Sequence, residues 1–334
     1  MALTEFRTPI NTKVDTQFFP DGIKTTGQQA PLYDILRPYS DFPRNITGNT
    51  VWEAEDYTGE NERLWKRHVT QEEIDELSAV SNRLLASGWP LTGMSKEHFP
   101  LPKHSKYLEE VRDDLLNGKG FVLFQGLPVK DWEIQKSAMA YMGLGSHLGQ
   151  DFHADPVDIV GLLCINKALE GGELDIVSGH HVFNVLQAEQ PNVMETLKKP
   201  IWYFDRNGET SIGQEDFTQS VFYLEKDNGR VYAKWDPNFV KSLSRYSDKG
   251  VIAPFSPEQI KAIQVLEDTC QRLTLHMKLE VGDVQFMSNE HLFHARTQYK
   301  DDPPTAPGRH LLRLWLSQPE SEGGWKLPFH DSDV

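Results

Sequence analysis

The sequence predicts a mainly β, α+β chain with a jelly-roll core and flanking helices. Three observations carry that expectation. Short strand-like runs dominate from Asp158 onward, at about 159–165, 201–205, 220–224, 230–235, 275–279, 284–287 and 309–317. Turn residues separate them, and helical patterns interrupt them only at about 181–198 and 257–273. Strands and helices do not alternate strictly, which argues for a barrel or jelly roll and against a parallel sheet.

The elements follow in order. Residues 1–60 are rich in Pro, Thr, Asp and Gly without a clear period and read as an extended N-terminal arm. Residues 61–334 read as one domain whose first part is a helical annex, since no repeat or linker interrupts them. Thr70-Gln-Glu-Glu73 is a capping box, and Ile74, Leu77, Leu84 and Leu85 follow at helical spacing until Gly88. A second helix is expected near 106–116, and Gly118-Lys-Gly120 then turns the chain into a strand at 121–124. A third helix follows Asp131, with Ile134, Ala138 and Tyr141 expected on its buried face. Gly143-Leu-Gly-Ser-His-Leu-Gly149 echoes a dinucleotide fingerprint, but it follows a helix instead of linking a strand to a helix. The helix at 257–273 opens on Ser256 as N-cap, with Pro257 in its first turn and Gln259 as the returning partner.

Composition excludes several function classes. The chain has 334 residues, 38% hydrophobic and 10% aromatic, enough to bury a sizeable core. A formal charge of −15 argues against nucleic acid, whose phosphates need clustered Lys and Arg. No run approaches the roughly 20 apolar residues of a membrane span, and the N-terminus lacks a secretory h-region. The expectation is a cytoplasmic protein with a small-molecule substrate, no nucleic-acid or membrane partner, and room for a homo-oligomer. Cys164 and Cys270, the only two cysteines, read as small buried hydrophobes and not as a disulfide.

The chemistry rests on a few residues. His153 and Asp155 are two apart, so on an extended segment both side chains project from one face. Such pairs are common and mean little alone. With His294 downstream they form a candidate 2-His-1-carboxylate set, which binds iron and leaves open positions for a co-substrate and dioxygen. Arg309 and Arg313 fall four apart on the last expected strand and would share a face. An arginine pair among Leu and Trp suits bidentate capture of carboxylates, with salt bridges at the rim as the plainer alternative. His291 reads as structural, and His180-His181 as a helix start with a packing residue. Trp202, Tyr203, Trp235 and Trp315 read as core, and Asp283 as a turn residue.

Gly120-Phe-Val-Leu-Phe-Gln-Gly-Leu-Pro128, Gly145-Ser-His-Leu-Gly149, His153-Ala-Asp155, Gly171-Gly-Glu173, Gly282-Asp-Val-Gln285, His294-Ala-Arg296 and Arg309-His-Leu-Leu-Arg313 occur in this order. Together they resemble the taurine dioxygenase/clavaminate synthase-like branch of Fe(II)/2-oxoglutarate oxygenases, its fungal members most of all. The likeness spans about residues 105–328. It implies a cupin-like double-stranded β-helix with Fe(II) on His153, Asp155 and His294. It implies 2-oxoglutarate held by Arg309 through its distal carboxylate, dioxygen as co-substrate, and Arg313 facing the primary substrate or supporting Arg309. Hydroxylation, desaturation or ring closure at an unactivated C–H bond of a small carboxylate or sulfonate would follow.

Two departures stand out. Leu174 follows Gly171-Gly-Glu173 where the family often has a hydroxyl residue that helps hold the co-substrate. Only Asp151 and Phe152 separate Gln150 from His153, where the family commonly has a few tens of residues of loop. Leu174 keeps open a metal-dependent, cupin-like oxygenase or hydrolase without 2-oxoglutarate; a non-catalytic ligand-binding jelly roll is a further alternative, against which the intact His153, Asp155 and His294 speak.

Overall fold

The computed structural model describes residues 41–91, 93–151, 157–199, 201–205, 216–225, 229–235, 254–301 and 307–325. The chain groups into two compact units. One comprises Gln29–Trp202, Thr218–Asp236 and Phe255–Val334 and carries both sheets of the frame and the candidate site. The other comprises Met1–Gln28, Tyr203–Phe217 and Pro237–Pro254, of which few residues are described.

Strand β1 (Lys66–His68) leads into α1 (Gln71–Ala86). Thr70 caps that helix as its capping box predicts: the hydroxyl accepts the Glu73 N–H, and the Glu73 carboxylate accepts the Thr70 N–H. Helix α2 (Ser105–Asn117) buries Leu108, Val111, Leu115 and Leu116 at three- and four-residue spacing. Strand β2 (Phe121–Gln125) and helix α3 (Ile134–Gly145) follow. The buried face of α3 differs from the expected one. Ile134 is 48% exposed, while Ser137, Ala140, Tyr141 and Leu144 are buried. Close approach at two glycines sets this rotation: an added Cβ on Gly143 would meet the Phe99 ring, and one on Gly145 would meet Leu314.

The segment before β1 contributes to the core. Trp52 is buried, donates its indole N–H to the Lys119 carbonyl at 2.8 Å, and packs its ring against Phe121 and Tyr57.

Strands β3 (Gln150–Asp151), β4 (Ile159–Asn166), β5 (Glu170–Gly171) and β6 (Leu174–Ser178) come next. The helical stretch expected at 181–198 is two helices, α4 (Gly179–Glu189) and α5 (Pro191–Lys198). Pro191 cannot continue the hydrogen-bond ladder and bars Gln190 from helical geometry, so Gln190 sits at φ −139°, ψ 59°. Short strands β7 (Trp202–Asp205), β8 (Asp216–Gln219), β9 (Phe222–Leu224) and β10 (Val231–Ala233) precede α6 (Pro257–Leu273). The last strands are β11 (Leu275–Met277), β12 (Val284–Ser288), β13 (Leu292–Arg296), β14 (Tyr299–Lys300) and β15 (His310–Ser317). Among the described helices none is long and apolar enough to cross a membrane.

Two sheets form the frame. The larger has the order β1-β2-β12-β4-β15-β3, antiparallel except for the β1/β2 edge. The smaller has the antiparallel order β11-β6-β13. Strand alternation gives the larger sheet two apolar faces. One face (Val122, Phe124, Ile159, Leu163, Val284, Phe286, Leu314, Leu316) packs against α1, α2 and α3. The other (Phe121, Leu123, Val160, Leu162, Cys164, Met287) packs against Leu174, Ile176, Leu275, Met277 and Leu292 of the smaller sheet. Gly161 lies where the Tyr141 hydroxyl and Phe286 leave no room for a Cβ. The two cysteines are free, as expected, with Cys164 buried in this inter-sheet core.

Candidate metal centre and co-substrate pocket

His294 lies on β13, whose residues pair in register with β6: Leu292 with Ser178, His294 with Ile176, Arg296 with Leu174. Alternation puts Leu292, His294 and Arg296 on one face and Phe293 on the other, where its ring meets Phe222. The first face is the inter-sheet one, because Leu292, Ile176 and Leu174 all belong to that core. Leu292 is buried, but His294 and Arg296 are exposed, so β13 runs out of the packed core toward an open end of the sandwich.

The opposite wall carries Arg313. On β15 Leu311 and Trp315 pack into the inter-sheet core, and Arg313 stands between them in sequence on the same face. Its guanidinium carbon is 5.8 Å from the Trp315 ring. Arg309 directly precedes β15. The register shift between His310 and Leu311 skips Ile165 on β4, and Arg309 lines a cavity together with Leu311 and Cys164 of the inter-sheet core. The backbone N–H of Arg309 donates to the Asp301 carboxylate at 3.0 and 3.1 Å. Its guanidinium donates to the Gly172 carbonyl at 3.3 Å and lies 5.4 Å from the Tyr299 ring. Arg296 approaches the same ring at 4.4 Å.

Gly171 and Gly172 shape this corner. Their φ values of 68° and 76° lie in the left-handed region that side chains disfavour. A Cβ on Gly172 would sit 2.9 Å from Arg309 Nε. A cavity of about 210 Å³ opens here, lined by Cys164, Gly171, Gly172, Glu173, Arg309 and Leu311 among others. Burial, followed by the positive charge of Arg296, holds the Arg309 pKa below its usual value. An anion in this corner would reverse that electrostatic cost.

His153 and Asp155 lie outside the described residues. Their flanks are anchored. Gln150 and Asp151 pair with Ser317 and Leu316 of β15. On the far side Asn289 donates from its side chain to the Val157 carbonyl at 3.0 Å and from its backbone to the Asp158 carbonyl at 2.7 Å. Asp158 is itself buried and accepts the backbone N–H groups of Gln318 and Trp325. Among the described residues no three His, Cys, Asp or Glu side chains gather closely enough to hold a metal. His294 is thus the one expected ligand whose placement is described, and its inward-facing imidazole at the open end of the sandwich suits a divalent metal.

The other histidines separate from it. His291 and His180 are buried and their rings lie 5.5 Å apart, with Trp325 against both. His180 is hydrogen-bonded to Thr50 Oγ1 and to the Val231 carbonyl. Burial pushes the pKa of His180 down to about 4 and that of His291 down to about 3. Both are structural, as their sequence setting suggests.

Sequence reasoning gave Arg296, Tyr299 and Asp301 no role. Only the pairing of β14 with β5 brings Tyr299 opposite Gly171. It also missed a buried ion pair, Lys234 to Glu290 at 2.9 Å, in which burial pushes the Glu290 pKa up to about 7.

Comparisons with known proteins show the family and the fold. The profile of the family described as Taurine catabolism dioxygenase TauD, TfdA matches residues 129–315, more than half of the chain. A relative described as FR-33289 synthase, from Streptomyces rubellomurinus, is 24% identical over 85% of this chain and 92% of its own length. The taurine hydroxylase-like protein SAT17 of Stachybotrys chartarum is 23% identical over 88% of this chain and 85% of its own. Among solved structures, asparagine oxygenase in complex with Fe(II), hydroxyasparagine and succinate superposes with a TM-score of 0.55 at 14% identity. That match covers 75% of this chain and 93% of the other. The non-heme iron oxygenase OrfP, in complex with Fe, gives 0.54 at 14% identity and the same coverage. The chain belongs to the TauD, TfdA dioxygenase family, and its enzyme class is the non-heme iron, 2-oxoglutarate-dependent oxygenase that its motifs lead one to expect.

Proposed function

We propose that this chain oxidises an unactivated C–H bond of a small acidic substrate, a carboxylate or sulfonate, using Fe(II), 2-oxoglutarate and dioxygen. Hydroxylation, desaturation and ring closure all fall within this reading. The two sheets would form the double-stranded β-helix of the family, and the metal would be held by His153, Asp155 and His294. The observation that carries the reading is the convergence of His294 from one sheet and Arg313 from the other on the same inter-sheet space.

Each residue then has a task. His294 presents its imidazole from a strand whose neighbours Leu292 and Ile176 are buried in the inter-sheet core. Arg309, fixed by Asp301 and Gly172, offers a guanidinium fork to the distal carboxylate of 2-oxoglutarate. Arg313, flanked by Trp315, offers a second fork to the acidic group of the substrate. Iron with 2-oxoglutarate, when bound, supplies the oxidising power from dioxygen, while the protein binds, orients and excludes water. The neighbours with asparagine- and arginine-derived products support a small, polar substrate class.

The test is a substrate panel. Amino acids, small carboxylates and sulfonates are supplied with Fe(II) and 2-oxoglutarate while succinate and oxygen uptake are followed. At least one acid should stimulate succinate formation, and His294→Ala should abolish it. Turnover that ignores 2-oxoglutarate would overturn the proposal.

A further inference from the structure

We propose that Arg296 is a second guanidinium for the distal carboxylate of 2-oxoglutarate, so that this carboxylate sits between Arg296 and Arg309 at the Tyr299 corner. The inference rests on the co-substrate reading above and assigns a specificity-determining residue to that site.

Position comes first. Arg296 is two residues beyond His294 on the same inward face of β13, so it extends from the expected metal position toward the open end. Tyr299 lies three residues further on, where β14 pairs with β5. The Arg296 and Arg309 guanidinium carbons approach the Tyr299 ring at 4.4 and 5.4 Å. One aromatic ring therefore gathers two cations, one from β13 and one from the segment that leads into β15.

The charge balance around them is incomplete. Of the carboxylates nearby, Asp301 takes the Arg309 backbone N–H, Glu173 meets His276 at 3.3 Å, Asp175 meets His276 at 2.7 Å, and Glu170 lines the cavity without an ion pair to either guanidinium. Among the described residues neither guanidinium has an acidic side chain within ion-pair distance. The Arg296 guanidinium donates to the Thr297 carbonyl and that of Arg309 to the Gly172 carbonyl. Two cations brought together repel one another: burial is the larger cause of the depressed Arg309 pKa, and the charge of Arg296 adds to it. A carboxylate between them would remove the repulsion.

Lys167 and Lys278 also line the cavity beside Arg309, and the wall across from Arg296 is apolar. Leu174 is the cross-strand partner of Arg296 and is buried in the inter-sheet core, so its position supplies only apolar surface. A carboxylate reaching this corner would find donors at the two guanidiniums. Gly172, which has no room for a Cβ beside Arg309, keeps the approach open.

The experiment compares two keto acids. 2-Oxoglutarate and 2-oxobutanoate, which lacks the distal carboxylate, are titrated anaerobically into the Fe(II)-loaded protein and followed by the visible charge-transfer band of the chelated keto acid. Arg296→Leu should weaken 2-oxoglutarate by about tenfold or more and leave 2-oxobutanoate within about twofold. Arg296→Lys should recover part of the loss, and adding Leu174→Thr to Arg296→Leu should recover part by supplying a hydroxyl. Unchanged 2-oxoglutarate affinity in Arg296→Leu overturns the proposal, as does equal weakening of both acids, which would mark a structural role. A wild-type protein that binds Fe(II) but forms no band with either acid overturns the co-substrate reading, and this inference with it.

Discussion

Gly172 shows how much a single residue decides here. At φ 76° an alanine costs roughly 1–2 kcal/mol of backbone strain, and its Cβ would press on Arg309 Nε. Gly172→Ala should therefore fold but bind 2-oxoglutarate several-fold more weakly, which an equilibrium titration reads directly. Unaltered affinity would detach Arg309 from the co-substrate. Arg309 and Arg313 should also differ in what their loss affects. Arg309→Ala is expected to raise the apparent constant for 2-oxoglutarate, and Arg313→Ala that for the acidic substrate, each by about tenfold or more. Arg313→Ala with unchanged constants for every acid would remove its assigned role. Both arginines were legible in the sequence as charges among apolar residues. The contacts of Arg309 with Gly172 and Tyr299 were not, because only the pairing of β14 with β5 brings those residues together.

At the scale of elements, legibility followed the strength of the local signal. Helix α1 was readable from its start because Thr70 and Glu73 cap it through their own side chains. Thr70→Ala should cost about 1 kcal/mol and lower the melting temperature without changing turnover. Strands β6 and β13, which form the site's floor, went unread. Leu-Asp-Ile-Val-Ser and Leu-Phe-His-Ala-Arg are five residues each with mixed patterning, and they become strands because they pair with one another. The segment around Trp52 was also misjudged as an arm lying over the body. Its Pro-, Thr- and Asp-rich composition hides a tryptophan that packs against Phe121 and is held by the Lys119 carbonyl. Trp52→Ala is expected to destabilise by about 3–5 kcal/mol, read from denaturant midpoints.

At the scale of the whole molecule, the two sheets bring distant parts of the sequence to one space, and buried polar groups brace the frame. His180 and His291 are held neutral by burial, their pKa values depressed from 6.5 to about 4 and about 3. The sign is that of a depressed base. Between those values and 6.5 the unfolded chain binds the protons that the folded chain refuses, so this contribution to stability is lost as pH falls below 6.5. Histidine NMR of the native protein should show two of the twelve imidazoles without titration down to about pH 5. Titration of all twelve between pH 6 and 7 would contradict that packing. The proposed metal ligands were legible only as a motif, since His153 and Asp155 take their assigned meaning from a histidine more than a hundred residues away. The central claim is that these three residues hold iron beside a 2-oxoglutarate pocket. Its most direct test is to add Fe(II) and then 2-oxoglutarate to the metal-free protein without oxygen and record the visible spectrum. A charge-transfer band that appears in the wild type and is lost in His153→Ala and His294→Ala is the predicted result. Iron bound with no band on adding 2-oxoglutarate would contradict it.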